Sequence, residues 1–522
     1  MRASAIARRR GFVVLAAAAA VLSAVFVAIP GAAADAAPGQ AQLTASPEVA
    51  PGAPGAESYF DLARKDCVGT AMGTASKVWY TVANGVLSDT YEPTIDNTNV
   101  STLQYLVTDG ATFTDLQTRD MTYTVAADPS GMACTVTAAN TQHGYQLITT
   151  FITDPASDTV LMRTRLSALP GTTGDLASLH LYARLDAHVN GNGGGGSQNA
   201  GANTGVVDTS TGSPVPVISS ESTVTNAANR DYAKPTFMAL AASIPSPAAS
   251  VGYAGTASDG LTQLDAAHSL TPYDSAPDGH IVATEDVTPA PGNPVTLALG
   301  FGRTRAQSLE AAGSSLSHPF GIVKGKYLGG WDAYDATLRP PAARFANRYF
   351  LSANVLKASE DKTYPGAIVA SLASPWGQSV PAGVFAGGQP AYFGSYREVF
   401  ARDLYEAFTG LLTDGDLGTA RATARFLLER QQQPDGSMPR NSLLNGKPAP
   451  DTGGTQLDET AYPILMALQA GLGGDAGLWE NHIRPAADFL VAHGPSFGVE
   501  RWEEQNGYSP STIAAEIAGL TA

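Results

Sequence analysis

The sequence predicts a multidomain protein in which an antiparallel β-sandwich precedes an all-α domain. Three observations carry this. Strand-like runs separated by turn residues fill residues 58–322, the hydrophobic period changes to about 3.6 beyond Pro340-Pro341, and six helix-length segments follow, joined by long polar loops.

In the first region, Lys77–Val82 and Val86–Tyr91 flank Asn84-Gly85, a pair suited to the left-handed backbone of a two-residue hairpin turn. Further runs at Thr102–Val107, Met121–Val125, Gln146–Thr153, Val160–Leu166, Ser178–Ala187 and Pro294–Gly302 are separated by Gly, Pro, Asp and Asn clusters. Many strands with almost no helical period suggest a large antiparallel sandwich. Asn190–Asn203, rich in Gly and Asn, reads as a loop; a phosphate cradle would need a strand-to-helix context that is missing here. Residues 323–341 read as a connector.

The all-α domain spans 342–522. Arg344–Ser359 sets Phe345, Tyr349, Phe350, Ala353 and Leu356 on one helical face. Helices over Tyr396–Leu412, Leu417–Gln432 and Leu457–Ala470 follow, then one carrying Ile483, Ala487 and Leu490. The last starts with Ser509 as cap and Pro510 in the first turn, where a missing N–H costs little. Its stripe of Ile513, Ile517 and Leu520 would face water without a neighbouring helix.

At the N-terminus, Arg2 and Arg8–Arg10 precede an apolar run from Phe12 to Ile29 and small residues at Ala32–Ala34. That order makes residues 1–34 a secretory signal peptide, followed by a Pro/Ala/Gly-rich linker over 35–57. The mature chain is expected to be extracellular, soluble, monomeric and free of the membrane. With 31 basic against 47 acidic side chains, a net charge of −16 argues against a nucleic-acid partner. In an oxidising compartment Cys67 and Cys134 are expected to form one disulfide, the alternative being two separate buried thiols. The eight His residues are scattered and no HExxH-like spacing occurs, so no cofactor is expected. Loop carboxylates leave room for a structural calcium ion, but no Asp/Asn run locates one.

Four clusters could carry chemistry. The first is Glu500–Thr512, where Glu503 and Glu504 follow Trp502. Glycoside hydrolysis needs one carboxylic acid held protonated, and a nearby aromatic ring and a neighbouring negative charge both disfavour ionisation. A solvated surface run is the plainer reading. The second is Tyr396–Tyr405, where Arg402 and Asp403 offer a donor and an acceptor for sugar hydroxyls, or a structural ion pair. The third combines Gln432–Asn441 with Gln456–Ala461, readable as a turn and an acidic helix start. In the fourth, Ala370–Gly377, Trp376 either stacks on a sugar or packs in the core.

Together, the order and spacing of these clusters resemble the bacterial glucoamylase and glucodextranase group of the family-15 glycoside hydrolases. Residues 77–107, KVWYTVANGVLSDTYEPTIDNTNVSTLQYLV, resemble that group's N-terminal sandwich. The resemblance covers roughly Ser58–Ala522 and implies an (α/α)6 barrel of which about the first half is present. It implies Glu503 as general acid of an inverting mechanism, with Glu504 near substrate. Arg402 and Asp403 would contact the non-reducing-end glucose, and Trp502 and Trp376 would join the substrate site. The implied partner is an α-glucan cleaved from its non-reducing end, at α-1,4 links or, as in glucodextranases, at α-1,6 links. A non-catalytic carbohydrate-binding role is the alternative of another class. One departure is serious: the family's general base lies well downstream of the acid, whereas nineteen residues follow Glu503. The chain as given is therefore expected to be a fragment that lacks the base and is inactive.

Overall fold

The computed structural model describes residues 48–56, 65–172, 176–190, 203–221, 229–372, 381–384, 390–392, 396–449, 452–499, 501 and 506–522. The signal and most of the linker fall outside these residues, as do Trp376, Trp502, Glu503 and Glu504.

Two antiparallel sheets form the sandwich. The first runs Cys67–Thr70, Trp79–Ala83, Val86–Tyr91, Val100–Thr108, His180–Ala187, Ile281–Asp286, Ala249–Tyr253, with Thr114–Leu116 also paired to Val100–Thr108. The second has nine strands, from Ser275–Gly279 at one edge through Thr236–Ala242, Pro294–Gly302 and Thr159–Ala168 to Cys134–Asn140 and Thr122–Ala127 at the other. Their inner faces close on one core that includes Tyr80, Leu103, Leu147, Phe151, Leu181 and Leu297. A Cys67–Cys134 disulfide, with Cα atoms 6.5 Å apart, staples the first sheet to the second. The Asn84-Gly85 turn forms with φ values of 52° and 75°, the two left-handed residues this hairpin demands.

Strands made of short or small-residue stretches, such as Ala249–Tyr253 and Ser275–Gly279, were not legible in the sequence pattern. Nor were three helices: α1 (Gly260–Ala267), α2 (Arg305–Leu316) and α3 (Phe320–Asp335). Helix α2 buries only Ser308, Ala312 and Ser315, so its packed face carries no hydrophobic signal. It lies flat on the strand at Gly300, where a Cβ would stand 2.4 Å from the Ala312 nitrogen. The stretch read as a connector is largely α3, which buries Phe320, Val323, Tyr327, Trp331 and Tyr334 at helical spacing. Glycines 321, 325 and 329 on its open side dilute that pattern. The end of the stretch read as linker also belongs to the sandwich: Val49 bridges Ser275, and the Ala56 amide donates to the Ala254 carbonyl.

Among the described residues six further helices of ten residues or more follow: α4 (Ala346–Ala358), α5 (Ala401–Asp414), α6 (Leu417–Phe426), α7 (Leu457–Gln469), α8 (Arg484–His493) and α9 (Pro510–Thr521). They form a limited set consistent with part of an (α/α) barrel. Phe345, expected on the buried face of α4, is exposed in the turn before it. Ser509 occupies the N-cap position of α9, but its hydroxyl pairs with Ser511 and does not cap the helix. Along α9, Ile517 is 62% and Leu520 45% exposed.

Sandwich and helices share their cores. Trp79, Tyr91 and Ile95, from the first sheet and the loop after it, pack with Leu404, Phe408 and Ala424 of α5 and α6. The Trp79 indole donates to the Ala358 carbonyl (2.9 Å), and the Trp331 indole donates to Thr70 (2.9 Å). Lys362 inserts its ammonium among Thr70 Oγ1 and the carbonyls of Ala71 and Ser76, each at 2.7 Å.

Candidate active site

The start of α5 gathers three of the four clusters. Val399–Phe400 pairs antiparallel with Asn441–Ser442, which joins the second cluster to the third. The Ala370 amide donates to Glu398 O (3.0 Å) and the Ser371 amide to Tyr396 O (2.8 Å), which fixes the described end of the fourth cluster beside them. Buried Glu398 accepts from the Asn441 amide, and Gln431 donates to Val399 O and Ser442 Oγ, both at 2.9 Å. Tyr396 holds φ at 68°, a left-handed conformation that costs an aromatic residue free energy and concentrates at functional sites.

Arg402 and Asp403 part company. The Arg402 guanidinium donates to Asp458 (Nε to Oδ2 3.0 Å) and to Gln456 Oε1 (2.6 Å), and stands 3.3 Å from Glu459 Oε1. Its backbone amide also donates to Glu459 Oε2 (2.7 Å). The ion pairs of Arg402 thus run to α7 and not to the adjacent Asp403. Asp458 and Glu459, 1% and 0% exposed, read in sequence as an acidic helix start, are buried charge partners. One guanidinium faces two buried carboxyl groups. Burial, with the Asp458 charge adding to it, outweighs Arg402 and pushes the Glu459 carboxyl up to about 8. The only signal in sequence was the juxtaposition Gln456-Leu-Asp-Glu459; the spatial link to Arg402 is fifty-six residues long in the chain for Asp458.

Asp403 points from the first turn of α5 into a groove of about 500 Å³ between sandwich and helices, whose walls include Lys65, Ser371, Leu372 and Glu406. The enclosure raises its carboxyl above the ordinary range although water still reaches the side chain. Lys65 in the same wall is held by Asp89 (2.6 Å).

Glu503 and its immediate neighbours lie outside the described residues, which resume at Arg501 and at residue 506. Gly498 lies so close to Thr455 that a Cβ would stand 2.4 Å from the carbonyl oxygen, and its φ of +67° suits glycine. Arg501 is near enough to Tyr462 for its charge to lower the phenol's pKa, against a larger rise from burial. Helix α9 packs back on α7, with Gly519 against Ala461. Gly498 and Gly519 thus pack against Thr455 and Ala461, at and just inside the end of α7 that also carries the partners of Arg402. Among the described residues no group of three His, Cys, Asp or Glu side chains is placed to hold a metal ion, and no helix is long and apolar enough to cross a membrane.

A β-sandwich thus stands in front of helices consistent with part of an (α/α) barrel, with a buried guanidinium–carboxylate network at the start of α7. Residues 50–336 match the family model for glucodextranase, domain N, and residues 343–522 that for glycosyl hydrolases family 15. A glucoamylase from Clostridium sp. (strain G0005) is 31% identical over 469 residues, covering 90% of this chain and 61% of that protein. The crystal structure of a bacterial glucoamylase complexed with acarbose superposes with a TM-score of 0.79 at 31% identity, covering 91% of this chain and 65% of the other. The chain belongs to the bacterial glucoamylase and glucodextranase group of the family-15 glycoside hydrolases. It spans less than two thirds of the length of these two relatives.

Proposed function

We propose that the protein acts on α-glucans as an exo-acting glycoside hydrolase, releasing glucose from non-reducing ends with inversion at the anomeric carbon. The observation that carries this reading is the buried Arg402–Gln456–Asp458–Glu459 network in a chain of this family, with Gly498 packed against Thr455 beside it. In the proposed mechanism Glu503 is the general acid that protonates the leaving glycosidic oxygen, and Glu504 and Trp502 stand beside it. Arg402 and Asp403 contact the hydroxyls of the non-reducing-end glucose as donor and acceptor, and Trp376 supplies a stacking face. The water that attacks from the opposite face needs a second carboxylate, and no residue after Glu503 in this sequence corresponds to the family's base. A signal peptide over residues 1–34, a first domain from about residue 50 to 336, a helical domain from about residue 343 and an extracellular location complete the proposal.

A second reading, cleavage of α-1,6 links, is favoured by one observation: the larger matched model is that of a glucodextranase domain. Both are tested by joining this chain to the remaining C-terminal part of a family member's barrel. The joined protein should release β-glucose from maltoheptaose faster than from an isomaltooligosaccharide, and Glu503→Gln should lower turnover by at least ~10²-fold. Faster release from the α-1,6 substrate would select the second reading. A folded joined protein without glucose release from either would sink both, and release by residues 1–522 alone would place the base within them.

A further inference from the structure

The sandwich carries a polar cleft of about 670 Å³ that the proposed active site does not use, within the ~300–1,000 Å³ range of small-molecule sites. It lies between the segment around Phe113–Asp115, the hairpin Asn140–His143 and the C-terminal end of α1 at His268.

Its groups are held ready and left open. Asp115 is 5% exposed, and all three of its side-chain hydrogen bonds fall on one oxygen: Oδ2 accepts from Tyr145 (2.6 Å), His143 Nδ1 (2.7 Å) and Asn140 (3.0 Å). Its Oδ1 accepts none. His143 pairs its Nδ1 with Asp115, which leaves Nε2 as the ring nitrogen without that partner. The same logic fixes His268. The Thr114 hydroxyl donates to the Leu264 carbonyl (2.7 Å) and so accepts from His268 Nδ1 (2.9 Å), which leaves Nε2 as the second ring nitrogen at the cleft. Phe113 backs the His143 ring at 3.7 Å and 14°, making a flat, braced platform. Thr141 and Gln142 stand exposed at the rim.

A carboxylate acceptor, two ring nitrogens, an aromatic-backed ring and rim hydroxyl and amide groups match a ligand whose many hydroxyl groups both donate and accept and which has a flat apolar face. An anion would meet Asp115, Asp120 and Asp265. A bare metal ion lacks its donor set, since no three of the described carboxylates and imidazoles are placed to hold one. Two of the carboxylates are already engaged by Arg119, which donates to Asp120 (2.7 Å) and to both oxygens of Asp265 (2.8 and 3.0 Å).

We propose that this cleft is a saccharide-binding site through which the sandwich holds α-glucan. That the ligand is a saccharide follows from the cleft; that it is an α-glucan rests on the proposed activity. The test is native electrophoresis of the full 522-residue chain through gels containing soluble starch, dextran or hydroxyethyl cellulose, with maltoheptaose affinity measured by calorimetry. Starch should retard the chain. His143→Ala, and Thr141→Trp as a rim block that removes nothing buried, should each weaken maltoheptaose binding by about tenfold or more, with unchanged circular dichroism. No retardation by any of the three gels, or equal retardation of both variants and wild type, overturns the proposal. His143-dependent binding of Ca²⁺ or Zn²⁺ in place of sugar would overturn it too. Variant-sensitive retardation by cellulose alone overturns only the α-glucan assignment. Glucose release from maltose by the joined protein, which neither variant should change, measures the proposed activity separately.

Discussion

Glu459 offers the sharpest test of the charge network. Arg402 stands against both Asp458 and Glu459, so one proton kept on Glu459 leaves the buried site with one cation and one anion. A carboxyl raised from 4.5 to about 8 retains in the folded state a proton that the unfolded chain has released. Stability from this group is then complete below about pH 4.5 and is lost as pH rises to about 8. At about 1.4 kcal/mol per pH unit the loss is on the order of 5 kcal/mol across that window. Glu459→Gln mimics the protonated form. It should cost no more than about 1 kcal/mol at pH 5, and at pH 8.5 it should be more stable than wild type by several kcal/mol. Arg402→Met makes the opposite change, leaving Asp458 buried without its counter-ion, and should destabilise by about 3–5 kcal/mol at pH 7. Urea unfolding followed by circular dichroism at 222 nm, at pH 5, 7 and 8.5, reads all three proteins. If Glu459→Gln were strongly destabilised at pH 8.5, or if wild type kept the same stability across the window, Glu459 would be an ionised partner of Arg402 and the one-proton argument would fail.

Other expectations follow from single features. Cys134→Ser opens a disulfide spanning 67 residues and should cost about 4 kcal/mol by the chain-entropy relation, read as a fall in the urea midpoint. Gly85→Ala should cost about 1–3 kcal/mol, because φ is +75° and the new Cβ would stand 2.7 Å from the Tyr123 ring; a neutral result would mean that the hairpin turn relaxes freely. In the joined protein, Asp403→Ala should raise KM and lower kcat for maltooligosaccharides, since an acceptor facing the groove is lost. If only thermal stability moved, Asp403 would be structural.

The sequence was most legible where local chemistry and tertiary demand agree. Asn84-Gly85 needs no context to turn a hairpin, and Pro510 after Ser509 marks the start of α9 whether or not the serine caps it. It was least legible where packing uses small or polar residues. Helix α2 hides behind Ser308, Ala312 and Ser315, which carry no hydrophobic signal, and the apolar stripe of α3 is diluted by the glycines on its open side. The site shows the same division. The motif order marked the right segments, yet no spacing rule says that Arg402 would turn from Asp403 to Asp458 and Glu459 on α7. A charge partner more than fifty residues away is set by how α5 and α7 pack, and only coordinates carry that.

The joint between sandwich and helices also bears on how such chains can be recombined. Trp79 is a strand residue whose indole hydrogen is received by Ala358, and Lys362 is a helical-region residue whose three acceptors lie in the 70–76 loop. A graft that took only the strands from a relative would strand a buried ammonium among foreign carbonyls and leave an indole N–H without its acceptor. Donor and recipient are compatible only if the 70–79 and 358–362 segments travel together. The heritable module in this chain is therefore a strand-and-helix block that cuts across the boundary drawn at residue 341.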